Sequence, residues 1–213
     1  MDQTAAFDHS VLERLGPDSR LYNGHEYIRN GTPAQGFPFF EADSLRIGWL
    51  SYDGTLYRDI AMEYDLVLDE LVIRDYTGRS LLSLIDNKIS HFSFGPHRFR
   101  FLDPEHSGLI LPKAGFYEEL YKVPSITLLA HHEKRLDFPS NFADPVKYVQ
   151  VNTWFLVIGD KTFKVGDEDA LLEALSDKKT LLKRYIRSSR LHFKTQFEKA
   201  LIQTVTYYHL LRS

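Results

Sequence analysis

The stretch RIGWLSYDGTLYRDI, Arg46 to Ile60, reads as two strands joined at Asp53-Gly54. That dipeptide suits the positive φ angles of a two-residue type I′ turn, the connection that matches the twist of a hairpin. The same grammar continues downstream. Tyr64 to Leu68 and Leu71 to Arg74 flank Asp69-Glu70, Ser80 to Ile85 follows the turn at Thr77-Gly78, and Lys88 to Phe94 and Arg98 to Leu102 flank Gly95-Pro96. About seven strands therefore fit between Arg46 and Leu102 as a β-meander. Alternation at Tyr64, Leu66 and Leu68, at Leu82 and Leu84, and at Phe99 and Phe101 turns one face inward.

On the N-terminal side, Leu21 to Phe40 is rich in Gly, Pro and Asn yet carries Tyr22, Tyr27, Phe37, Phe39 and Phe40. Such a segment lies across a sheet and packs by its rings. A short helix is predicted from Ser10 to Leu15, stopped by Gly16-Pro17. On the C-terminal side, Phe116 to Lys122 pairs with Ser125 to His131, and Tyr148 to Ile158 with Thr162 to Val165 across Gly159-Asp160. From Asp167 the period changes to 3.6. Asp167 caps a helix running through Leu175, Ser176 or Asp177 caps a second to about Ser188 with Leu181, Leu182, Tyr185 and Ile186 as its apolar stripe, and a third spans about Lys194 to Leu211.

The expected fold is α+β: an antiparallel meander or partly closed barrel of nine to eleven strands with two or three C-terminal helices. The expected organisation is a β-rich domain over 1–166 and a basic helical extension over 167–213 packed on it.

With 213 residues, 43% of them hydrophobic and 14% aromatic, the chain can bury a core of its own. It has no cysteine, which excludes disulfides, thiolate metal sites and cysteine nucleophiles. No apolar run is long enough to span a bilayer as a helix, and Met1 to Leu15 lacks the basic flank and apolar core of a signal peptide. There is no Gly-x-Ser-x-Gly elbow and neither glycine-rich phosphate loop.

His131-His132-Glu133 is the tightest set of potential ligands, but neighbours on a strand face opposite ways, so no metal site is assigned and the pair is expected at a half-exposed strand end. Asp53, Asp59, Asp65, Asp69 and Asp75 recur through the meander, where turn and surface roles outweigh paired acid and base catalysis. No catalytic residue and no cofactor is assigned. Charge is the stronger signal. Overall it is −3, yet Ser176 to Ser213 holds nine Lys or Arg against Asp177 and Glu198, a balance of +7 that leaves −10 on the other 175 residues. Lys179, Lys183, Arg184, Arg187 and Arg190 form the candidate binding face. It is either solvated, docked on the chain's own acidic part, or a contact for another protein or an anionic surface; nucleic acid is disfavoured.

Leu21-Tyr22-Asn23-Gly24-x-Glu26-Tyr27, Phe37-Pro38-Phe39-Phe40, Gly48-x-x-x-Tyr52-Asp53-Gly54-x-x-Tyr57-x-Asp59-Ile60, Tyr64-Asp65-Leu66, Gly115-Phe116-Tyr117-x-x-Leu120-Tyr121 and the basic helical end form one pattern. It resembles a group of uncharacterised proteins of Bacteroidetes bacteria, and the likeness runs from about Leu21 to Leu211. Members of that group look like exported proteins, so the resemblance implies a periplasmic or cell-envelope location for a mature form, and a cytoplasmic one otherwise. It carries over no activity. Tyr52-Asp53-Gly54-x-x-Tyr57 is also similar to one unit of a MORN-type hairpin repeat, which is not sustained.

The expected function is that of a non-enzymatic envelope interaction or accessory protein, its partner another envelope protein or an acidic surface. The alternatives are a small apolar-ligand binder with a pocket of Trp49, Tyr57, Tyr64, Phe92 and Phe99, and a hydrolase using the His and Asp residues above.

Overall fold

The structure, a computed structural model, describes residues 19–141 and 143–212. The predicted helix from Ser10 to Leu15 lies outside them. Eleven strands run β1 His25–Glu26, β2 Arg46–Tyr52, β3 Thr55–Asp65, β4 Glu70–Arg74, β5 Leu81–Ser83, β6 Ile89–Phe94, β7 His97–Leu102, β8 Gly115–Val123, β9 Ile126–Asp137, β10 Lys147–Ile158 and β11 Lys161–Val165. They form one antiparallel sheet in the order β1-β5-β4-β3-β2-β6-β7-β8-β9-β10-β11, not closed into a barrel. Among the described residues four α-helices accompany it: α1 Pro104–Ser107, α2 Glu168–Ala174, α3 Lys179–Ser188 and α4 Phe197–Leu210.

The β2–β3 hairpin turns at Asp53 (φ 48°) and Gly54 (φ 76°), the pair of positive angles that a type I′ turn requires. β3 does not break after Ile60 as the alternation suggested. It continues to Asp65, and the apparent interruption is a bulge: Gly48 pairs with Ile60 while Leu50 pairs with Tyr57, so β3 carries one extra residue, with Asp59 at φ 57°. A bulge keeps the ladder while re-aiming the strand. Two predicted strands therefore become one, and the meander holds six strands, β2 to β7.

Two compact units divide the chain differently from the expected boundary at 166. One comprises the residues up to Phe101 with His132–Val151, the other Leu102–His131 with Asn152–Ser213. In the first, the core is aromatic: Phe92 stacks on Phe99 at 4.8 Å, and Tyr64 meets both rings at 5.4 and 5.2 Å. Phe40, from the turn-rich segment, closes on Phe99 at 5.1 Å and His132 at 5.2 Å. In the second, Leu171, Leu172, Leu182, Ile186, Leu201, Val205 and Tyr208 of the helices share one core with Ile126, Leu128, Leu156 and Val165 of the strands. The helices are thus part of that unit's core and not an added layer, because short amphipathic helices gain their stability from such burial.

Capping also departs from expectation at one place. Asp167 accepts the Ala170 N–H at 2.8 Å and caps α2 as predicted, but neither Ser176 nor Asp177 caps α3. A 3₁₀ turn over Ser176–Lys178 intervenes, and Asp177 instead accepts the Tyr208 hydroxyl at 3.0 Å.

Gly48 lies where β2 passes β6 closely, and a Cβ there would run into the Ser93 carbonyl oxygen. Gly48→Ala is expected to lower stability by about 2–3 kcal/mol in urea unfolding, as overpacking does. Gly54→Asn, at a position with open space and positive φ, is expected to cost under ~0.5 kcal/mol.

Candidate functional site

α3 buries Leu182 and Ile186, one turn apart, in the core of the second unit. That choice fixes what the opposite side presents. Lys179, Lys183 and Arg187 follow each other at i, i+4 and i+8, with Arg184 beside them, all exposed. Lys183, Arg184 and Arg187, together with Thr180 and Ser188, line a shallow, largely open concavity on the helix surface. Arg190 follows just past the helix, in the left-handed region at φ 52°.

None of the five cations has an ion pair with an acid among the described residues. The two acids of the segment are engaged elsewhere by neutral donors: Tyr208 donates to Asp177, and the Trp154 indole N–H donates to Glu198 at 3.1 Å. Like charges at i, i+4 repel by a few tenths of a kcal/mol per pair, a cost that an anionic neighbour would remove. Leu181, expected on the apolar stripe, is 45% exposed on the same helix. Tyr185, half-buried, is stacked on Tyr207 with centroids 4.0 Å apart.

The five rings of the alternative pocket occupy different surroundings. Tyr64, Phe92 and Phe99 form the filled aromatic core. Trp49 lies under the Arg98 guanidinium, 5.8 Å from its ring, and Tyr57 pairs with Leu50 across the β2–β3 ladder.

His131 and His132 are both buried, which corrects their expected place at a half-exposed strand end. β9 runs on to Asp137, so they sit mid-strand. His131 packs on Tyr117 at 4.8 Å and His132 on Phe40, as the alternation of a strand demands.

The meander acids hold turns and bulges, with one exception. Asp53, Asp59 and Asp69 all have positive φ, and Asp69 accepts the Tyr64 hydroxyl at 2.5 Å. Asp75 accepts from the Arg79 and Ser80 amides and the Thr77 hydroxyl; burial opposes ionisation, but these bonds win and hold its carboxyl below the usual value. Asp65 is buried and accepts from Tyr27, Val67 and Leu68.

Two groupings carried no signal in the pattern of residues. Asp103, Glu105 and His106 bring potential ligand atoms within 4.8 Å of one another. The Asp103 carboxylate is already occupied: it meets His106 Nδ1 at 2.7 Å and caps α1 by accepting the Glu105 N–H at 2.9 Å, contacts that hold its acid strength high. Asp86 has a buried Oδ1 with no hydrogen-bond partner among the described residues. Burial, then the charges of Asp69 and Glu70, push its carboxyl up to about 7.

No helix among the described residues is long and apolar enough to cross a membrane. Comparison with models of protein families, with curated proteins and with solved structures finds no match.

Because folded Asp86 holds its proton up to about pH 7 whereas an unfolded aspartate releases it near 4, the folded state binds more protons in that window. Stability is therefore expected to fall as pH rises from about 4 to 7 and then to level. Asp86→Asn should flatten that slope and raise stability at pH 8 by roughly 1–2 kcal/mol, water at this partly exposed carboxyl screening the rest. Urea midpoints of both proteins across pH 4–8 check it; parallel curves would contradict it.

Proposed function

We propose that the protein is a non-enzymatic interaction module of the cell envelope that docks an acidic segment of another protein on the exposed face of α3. The observation that carries this reading is the set of five cations on and just after α3 without ion pairs among the described residues, while the neighbouring acids are bound by Tyr208 and Trp154. The shallow concavity beside Lys183, Arg184 and Arg187 gives carboxylates a place to meet several cations at once. The exposed Leu181 adds an apolar contact on the same helix.

A protein partner fits better than a nucleic acid. The only ring on α3, Tyr185, is committed to Tyr207 and cannot stack on bases. The envelope location rests on the resemblance to exported Bacteroidetes proteins.

Fluorescence polarisation with a labelled oligoglutamate peptide at low salt tests the docking. Lys183→Glu, Arg184→Glu and Arg187→Glu together are expected to weaken binding about tenfold or more, with a loss of salt dependence. Unchanged binding by the triple variant, folded by circular dichroism, would overturn the reading.

A further inference from the structure

A second recess, separate from the α3 concavity, opens beside the turn that joins α3 to α4. Its volume is about 150 Å³, and its polar lining comes from Ser189, Arg190, His192, Gln196, Lys199 and Gln203. Every one of these side chains offers a hydrogen-bond donor, and no carboxylate lines the recess. Arg190 and Lys199 have no ion pair with an acid among the described residues.

The fold assembles this lining from two directions. Lys199 and Gln203 share one face of α4 at i and i+4, and Gln196 stands at the N-cap just before its first turn. Arg190 and His192 come from the turn, which is fixed on both sides of Arg190: Ser189 donates its N–H to the Tyr185 carbonyl at 2.8 Å, and Leu191 packs against the helical core and donates its N–H to the Ile186 carbonyl at 3.0 Å. The left-handed backbone of Arg190 belongs to that turn. Carboxamides and an imidazole supply donors without adding negative charge, whereas a recess built for a cation would present oxygens alone.

Size narrows the ligand. At roughly 30 Å³ per water in the liquid, the recess holds about five waters, or one tetrahedral oxyanion with part of its hydration shell. The body of a larger organic molecule would extend over open surface. We propose that this recess binds a tetrahedral oxyanion of the phosphate class, either the free ion or the head of a phosphomonoester. The inference goes beyond the docking of an acidic segment on α3 and does not depend on it.

Isothermal titration of the full chain at low ionic strength, with inorganic phosphate in one arm and O-phosphoserine in the other, tests the site; serine serves as the blank. Saturable one-site binding is expected in at least one phosphate arm. Tighter binding of phosphoserine identifies an esterified source, and tighter binding of inorganic phosphate a free one. Lys199→Gln and Arg190→Asn, the latter chosen because Asn tolerates the left-handed region, are each expected to weaken binding roughly tenfold, the worth of one charge-assisted hydrogen bond. Lys183→Gln in the neighbouring concavity should leave the affinity unchanged. Three results would overturn the proposal: no saturable heat in either arm, equal affinity in the Arg190→Asn/Lys199→Gln variant, or an equal loss in Lys183→Gln.

Discussion

Two carboxylates buried near the end of β3 constrain the first unit more than any apolar contact does. The Glu63 side chain is 1% exposed and Asp65 is buried two residues further on. A buried charge without partners costs several kcal/mol, so the strand cannot end as it does unless something supplies donors. The turn-rich N-terminal segment supplies them. Arg29 donates twice to Glu63, at 2.9 and 2.8 Å, and Tyr27 donates to Asp65 at 2.6 Å. Burial still pushes the Glu63 carboxyl above its usual value, with Arg29 opposing the rise. The segment is held from its other side by Lys134, whose ammonium donates to the carbonyls of Phe37 and Phe39 at 3.1 and 2.6 Å.

Apolar packing follows from that polar clasp. With the segment in place, Arg29 lies 4.6 Å from the Phe39 ring centroid, Phe39 stands beside Tyr27, and Phe40 joins the cluster of Tyr64, Phe94 and Phe99. Backbone bonds extend the seam: Phe40 N–H donates to the Tyr64 carbonyl and Leu66 N–H to the Pro38 carbonyl. A segment that no helix or long strand stabilises is therefore ordered by ion pair, hydroxyl and carbonyl contacts first, and by rings second. The second unit solves its own problem conventionally, through the helix and strand core centred on Leu171, Leu182 and Leu201.

Much of this was legible in the residues. Asp53-Gly54 and Gly159-Asp160 declared their hairpins, the change of period at Asp167 declared the helices, and the rings of Tyr27, Phe39 and Phe40 declared a packed segment. The extra residue of the bulge near Asp59 shifts the alternation between Thr55 and Asp65, so one strand has the pattern of two. The burial of Glu63, Asp86 and the two histidines could not be read, since it depends on partners distant in sequence: Arg29 is 34 residues from Glu63. The basic face was visible as composition, but its lack of ion pairs among the described residues was not, because Asp177 and Glu198 stand close in sequence and are bound elsewhere in space. The donor-lined recess at Arg190 and Lys199 needed the turn between the last two helices, which periodicity does not describe.

The dependence of the first unit on its buried carboxylates is open to one direct measurement, a double-mutant cycle in urea unfolding with Arg29→Met and Glu63→Gln. If Glu63 must be compensated by Arg29, Arg29→Met alone destabilises strongly, the loss is smaller once Glu63 is neutral, and the coupling energy comes to about 2–3 kcal/mol. Additivity of the two substitutions within about 0.5 kcal/mol would contradict the account, leaving the clasp as contact without energetic consequence.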